Sequence, residues 1–202
     1  MNARFDVPAV PVLIPLAAVL MVISWLVLRR RGVFTGPRLV TAWAAVAYLM
    51  GVLAFTLLPL QVALGAYANQ TPWYNKGSYL PLLTIDVTTF VLNIVMTAPL
   101  GVLLPLLGRI RDVRQLAVRA LCFSAAIESV QLLTNLVVSS GRTADVNDLL
   151  ANTLGAVLGY LAWRRLTRVV AIREMAARLT IPARATEDNS PRSTAQRQNH
   201  DA

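Results

Sequence analysis

Apolar residues gather into five runs, and the polar segments between them are short and mostly rich in arginine. The runs extend from Val7 to Leu28, Leu39 to Leu64, Val87 to Gly108, Leu116 to Val138 and Asp148 to Trp163. Each of the first four has the roughly 20 residues that a bilayer-crossing helix needs. The fifth is shorter, with 15 uncharged residues between Asp148 and Arg164. As a helix they rise about 22 Å, against a hydrocarbon core of about 30 Å. Tilting worsens that deficit. The expected accommodation is snorkelling by Arg164 and Arg165, with Asp148 and Asp145 at the opposite hydrocarbon boundary. The pattern predicts an all-α protein: an integral membrane bundle of about five transmembrane helices within residues 1–180. From Ile181 the sequence turns polar, proline-containing and poor in aromatics, which predicts a disordered tail over 181–202.

Composition agrees with this reading. Of 202 residues, 56% are hydrophobic and 14% charged, where a soluble domain carries about 25% charged residues. The first run is longer than a signal-peptide core and lacks a small-residue cleavage site, so it reads as a retained span that ends at Arg29-Arg30-Arg31. Pro8, Pro11 and Pro15 crowd its start, where missing amide donors matter least. The net charge of +9 does not point to nucleic acid, because the arginines flank the apolar runs. Sixteen of the lysines and arginines fall in 29–38, in 109–119 and from 164 onward, and only Arg4, Lys76 and Arg142 fall on the other side. The positive-inside rule then predicts an outside N-terminus, five crossings of the plasma membrane and a cytoplasmic C-terminus. The 65–86 segment, with Tyr67, Trp73, Tyr74 and Tyr79, has the composition of an interfacial hairpin.

Against that background the polar residues inside the runs stand out. Asp145, Asp148, Asn152, Gly155 and Gly159 step by three or four and share one helical stripe. Glu128, Gln131 and Asn135 form a second stripe, and Asn93 lies in the same half of the third run. If the stripes converge, they make a polar pocket open to the outside. A purely structural account competes with that one. Amides in a bundle can simply bond neighbouring helices, Gly155 and Gly159 can be a packing surface, and Asp145 and Asp148 can cap the fifth helix. Glu128 fits that account worst. It sits about 13 Å of helix from Arg119, where an ionised carboxylate needs a cation or water. Its candidate partners are Arg142, or Asn93 or Asn152 if it is protonated. Pro99 and Pro105 free carbonyls in the third run, which either kinks the helix or opens room beside Asn93.

A lone cysteine, Cys122, and a lone histidine, His200, exclude intramolecular disulfides, His-based zinc sites and Ser-His-Asp triads. A carboxylate-held magnesium ion is left open by composition, but no cofactor is expected.

Three segments in order, Asn93 to Pro105, Glu128-Ser129-Val130-Gln131 and Gly141 to Gly159, resemble the VanZ-like membrane proteins. The resemblance is strongest over residues 80–160. It carries the family pattern onto Asn93, Pro99, Gly101, Glu128, Gln131, Arg142, Asp145, Asp148, Asn152, Gly155 and Gly159. Thr97, Ala144 and Leu82 stand where the family pattern has phenylalanine, which trims aromatic packing and leaves the polar set intact. The family takes its name from an accessory protein of glycopeptide-antibiotic resistance, associated with reduced teicoplanin susceptibility. The resemblance therefore implies a bacterial membrane protein of the cell envelope. Its expected partners are membrane lipids and a lipophilic or cell-envelope ligand, held by Asn93, Glu128, Gln131, Arg142, Asp145, Asp148 and Asn152. Three functions compete: a non-enzymatic binder of such an amphiphile, a magnesium-dependent enzyme acting on a lipid phosphate, and a proton-coupled transporter.

Overall fold

The computed structural model describes residues 3–68, 77–78, 86–140 and 144–182. The elements in chain order are β1 (Ala3–Val7), α1 (Ala9–Arg30), α2 (Gly36–Thr56), β2 (Leu60–Leu64), β3 (Gly77–Ser78), α3 (Val87–Leu107), α4 (Val113–Val138), β4 (Ala144–Asp145), α5 (Val146–Leu166) and α6 (Val170–Leu179). Four helices, α1 to α4, are long and apolar enough to cross a membrane. With their lipid-like outer surfaces they make this a multi-pass membrane protein built as a helical bundle.

Helix starts follow local chemistry. Thr35 accepts from the Arg38 N–H ahead of Pro37 in the first turn of α2, and Asp112 accepts from the Gln115 N–H at the start of α4. Asp86 caps α3 by accepting from the Thr88 N–H and from the Thr89 hydroxyl. Cap bonds of this kind satisfy amide donors that the helix itself leaves free. α3 runs unbroken through both Pro99 and Pro105.

The helices alternate in direction. The Trp43 indole N–H donates to the Met21 carbonyl, tying α2 to α1, and the Tyr48 hydroxyl donates to Met96, tying α2 to α3. Buried Leu100, Ala120 and Ala156 join α3, α4 and α5 in one core, with Tyr48 and Phe123 packed on it. One end of the bundle carries the arginines of the α1–α2 turn. The other carries β1 and β2, paired antiparallel from Ala3–Leu64 to Val7–Leu60.

α5 is less apolar than the four spans, yet it lies beside α3 over most of its length. Asp148 meets Asn93, Gly155 meets Ile94 and Thr97, Gly159 meets Ala98, and Tyr160 meets Gly101. The numbers rise together, so the two helices are parallel and α5 occupies the same layer as a span.

Several expectations change here. The second apolar run is two elements, because α2 ends at Thr56 and Leu60–Leu64 leaves as a strand. The fifth run extends at both ends, α5 covering Val146–Leu166, and a separate α6 begins at Val170. The described chain runs through Pro182. Ile181 is buried against Leu28 and Ala42, and its N–H donates to the Leu106 carbonyl at the end of α3. Around it, Thr41 donates to the Leu179 carbonyl, Arg38 to Thr180 and Arg31 to Pro182. Three segments thus close the arginine end. Residues 183–202, with most of the expected tail, and Trp73, Tyr74 and Tyr79 lie outside the described residues.

Candidate functional site

Below the polar stripes, α3 and α5 touch backbone to backbone. A methyl group built on Gly159 would sit 2.8 Å from the Ala98 carbonyl carbon and closer still to its oxygen. One on Gly155 would sit 2.8 Å from the Ile94 Cα, and one on Gly101 2.9 Å from the Gly159 carbonyl carbon. Only glycine allows two helix backbones this near each other. The stripe of glycines therefore fixes how α5 is rotated and shifted against α3.

That placement sets the polar residues one and two turns above. The Asn93 Nδ2 donates to Asp148 Oδ1 at 2.6 Å, joining α3 to α5. Glu128 Oε2 accepts from the Asp145 backbone N–H at 2.9 Å, joining α4 to the start of α5. Asn152 Nδ2 donates to the Ser124 hydroxyl at 2.9 Å, one turn lower in the same α4–α5 seam. Asp145 is the N-cap of α5, its Oδ1 accepting from the Asn147 N–H at 2.8 Å. Asp148, in the first helical turn, reaches α3 instead of capping. Asn93, Glu128, Asn147 and Asn152 are buried, whereas Asp145 and Asp148 are half-buried. Charged and amide groups of this kind are costly in a low-dielectric interior and persist when hydrogen-bonded.

Two buried acceptors in the region, Asn152 Oδ1 and Gln131 Oε1, have no partner among the described residues. Gln131 turns its amide nitrogen to the Thr56 carbonyl at the end of α2, 3.0 Å away, so it ties α4 to α2 rather than to α5. That bond also fixes which end of the amide is oxygen.

Asn93, Glu128, Asp145, Asp148 and Asn152 therefore meet where α3, α4 and α5 join, and Gln131 sits at the edge. The pairing differs from the expected one. Neither Asn93 nor Asn152 turns its amide to Glu128; the amides go to Asp148 and Ser124, and Glu128 takes a backbone donor. Arg142 lies outside the described residues. Pro99 is exposed on the face of α3 away from the cluster, beside Tyr48 and Trp163, in an apolar groove of about 590 Å³.

Sequence reasoning passed over Ser124, Thr97 and Thr56. Ser124 is one turn before Glu128 on the same stripe, and Thr97 is one turn after Asn93, where its hydroxyl donates to the Asn93 carbonyl at 2.6 Å. Both had the spacing signal. Thr56 acts through its backbone carbonyl, for which no residue-type signal exists. Among the described residues no three His, Cys, Asp or Glu side chains are arranged to hold a metal ion.

No curated protein and no solved structure gives a significant match to the chain. The family model described as VanZ/LLP1 matches residues 45–168, from the middle of α2 to just past α5, and so takes in every side chain of this junction. With more than half of its length matched, the chain belongs to the VanZ/LLP1 family.

Proposed function

We propose that this chain is a non-enzymatic membrane protein whose polar junction of α3, α4 and α5 binds an amphiphile or cell-envelope component. In this reading the N-terminus and the junction face the outside, and the arginine end, with α6, faces the cytoplasm. The chain then contributes to the tolerance of envelope-active lipophilic compounds, teicoplanin among them. One observation carries the reading: amide oxygens of Asn152 and Gln131 buried without a partner among the described residues, on the same helical stripes as Asp148 and Glu128. A scaffold built only for packing gains nothing from orphaned acceptors, each of which costs about 1–3 kcal/mol. The direction of α3 and α5 supports access from the side of the β1–β2 pair, because Asp145 and Asp148 sit at that end and are half-buried.

The test uses a deletion strain complemented at matched membrane abundance. Glu128→Gln and Asp148→Asn keep shape and most hydrogen-bonding capacity but remove charge, and Arg142→Lys keeps charge but loses the planar fork. Raised susceptibility to lipophilic envelope-active compounds in the first two variants is the expected outcome. Wild-type behaviour in all three would assign the cluster to packing alone.

A further inference from the structure

At the arginine end, opposite the polar junction, α6 has no role in the site described above. Its depth in the molecule follows from two observations. α3 and α5 keep a constant offset: Gly155 meets Ile94 and Thr97, Gly159 meets Ala98, and Gly101 meets Tyr160. Carried to the end of α5, that offset sets Leu166 level with Leu106. After α6 the chain comes back to the same level, where the Ile181 N–H donates to the Leu106 carbonyl at 2.8 Å. Leu179, Thr180 and Pro182 are held beside it, their carbonyls accepting from Thr41, Arg38 and Arg31. α6, with ten residues and a length of about 15 Å, therefore leaves and returns at one depth. Its axis lies across the bundle, at the level where α3 and α5 end and the hydrocarbon layer gives way to headgroups.

The residues of α6 suit that position. In helical projection Ala171, Ile172, Met175, Ala176 and Leu179 form one apolar arc, and Arg173, Glu174, Ala177 and Arg178 form the other side. The rest of the chain covers only one flank of the apolar arc. Ile172, Ala176 and Leu179 are half-buried, whereas Ala171 and Met175 are exposed, Met175 at 51%. Leu166, Val169 and Val170, on the approach to α6, are exposed as well. Arg178 borders the open flank, and between residues 164 and 182 five arginines stand against one acid, Glu174. An apolar strip at the edge of the hydrocarbon layer, bordered by net positive charge, is complementary to an anionic bilayer surface. Acyl chains take the strip, and phosphates take the guanidinium groups. An acidic soluble protein would match the charge but not the depth. We propose that α6 is an in-plane interfacial helix docked on anionic lipid, with Met175 among the acyl chains and Arg173 and Arg178 on lipid phosphates.

The experiment uses the full chain carrying Cys122→Ala, which removes its one cysteine, in nanodiscs of phosphatidylcholine alone or mixed with phosphatidylglycerol. A nitroxide is attached at Met175→Cys or, on the other side of α6, at Ala177→Cys. Its relaxation by oxygen and by a water-soluble nickel complex reports its depth. The label at 175 should collide mainly with oxygen, and the label at 177 mainly with the nickel complex. Phosphatidylglycerol should move the 175 label deeper, and Arg173→Gln together with Arg178→Gln should abolish that shift. Raised salt should reverse the same shift in the chain that keeps both arginines, a check that needs no arginine variant to fold. A 175 label that meets the nickel complex as readily as the 177 label would lift α6 clear of the bilayer and overturn the proposal. Shielding of the 175 label from both reagents would mean that protein, a second copy or another chain, covers the strip, and would overturn lipid as its occupant. A depth that ignores phosphatidylglycerol, salt and the two arginines would overturn the anionic class.

Discussion

The glycine contact between α3 and α5 gives the sharpest structural test. Gly159→Ala adds one methyl group, and its nearest neighbours are backbone atoms of Ala98, with the carbonyl carbon at 2.8 Å. A flexible side chain could swing away; a helix backbone can yield only by moving the whole element. Overpacking typically costs about 1–3 kcal/mol, and a backbone-on-backbone collision belongs at the upper end. About 3 kcal/mol is roughly a hundredfold change in the folded-to-unfolded ratio. The control is Gly51→Ala in α2, where a methyl group meets nothing within 4 Å. Removing a glycine from a helix interior there should stabilise by up to about 1 kcal/mol. Both proteins can be unfolded in mixed detergent–dodecyl sulfate micelles and followed by tryptophan fluorescence. The expected order is Gly51→Ala at or above wild type and Gly159→Ala well below it. Equal stability of the two would mean that α3 and α5 are not in backbone contact, and the register that brings Asn93 to Asp148 would lose its physical basis.

Other consequences follow from the same structure. Ile181→Ala should destabilise the bundle by about 2 kcal/mol or more, since it empties a buried site against Leu28 and Ala42; a chain cut after Pro182 should unfold like the full protein, and one cut after Leu179 should not. Asp86 is held below its ordinary carboxylate pKa by the Thr89 hydroxyl and the Thr88 N–H. Its cap on α3 is therefore fully present above the unfolded value and is lost as the pH falls through the lowered one. Amide exchange at the first turn of α3 should rise only in strong acid, and Asp86→Asn should abolish that acid-dependent step. Reporter fusions after Arg111 and Arg173 should be cytoplasmic and one after Tyr74 external; a split result at Arg173 would mean that α5 does not cross.

The long helices were legible because lipid demands continuous apolar sequence, and the polar stripes because helical spacing places Asn93, Glu128, Asp145, Asp148 and Asn152 on definite faces. Spacing tells which face a residue occupies, not how the helix is rotated against its neighbours. For that reason the exchange of partners, Asn93 with Asp148 and Glu128 with a backbone N–H, could not be read. Leu60–Leu64 merged with the second run because a strand covered on one side by protein is as apolar as a span, and Pro59 was the only punctuation. The break at 167–169 carries neither glycine nor proline, so nothing local announced it. Ile181 looked like the first residue of a polar tail; its role as a plug depends on a cavity formed by residues far earlier in the chain.

α5 unites the two halves of this design. Its sequence is too polar to resemble a span, yet it lies along α3 from Asp148 to Tyr160. A membrane helix can carry such polarity only if its polar face never meets lipid, and the close contact made by Gly155 and Gly159 guarantees this from below. The glycines remove side chains from the lower interface, so the helices meet there without a gap. Above them, Asn93 and Asp148 put full polar side chains into the same interface, while Asn152 turns to Ser124 across the α4–α5 seam. The contact below thus sets the register in which Asn93 meets Asp148 and Asn152 meets Ser124. If the junction is a binding site, it depends on that register, and Gly159→Ala should raise susceptibility to lipophilic envelope-active compounds even at matched membrane abundance. Wild-type susceptibility of that variant at matched abundance would separate the two halves and leave the stripe as packing alone.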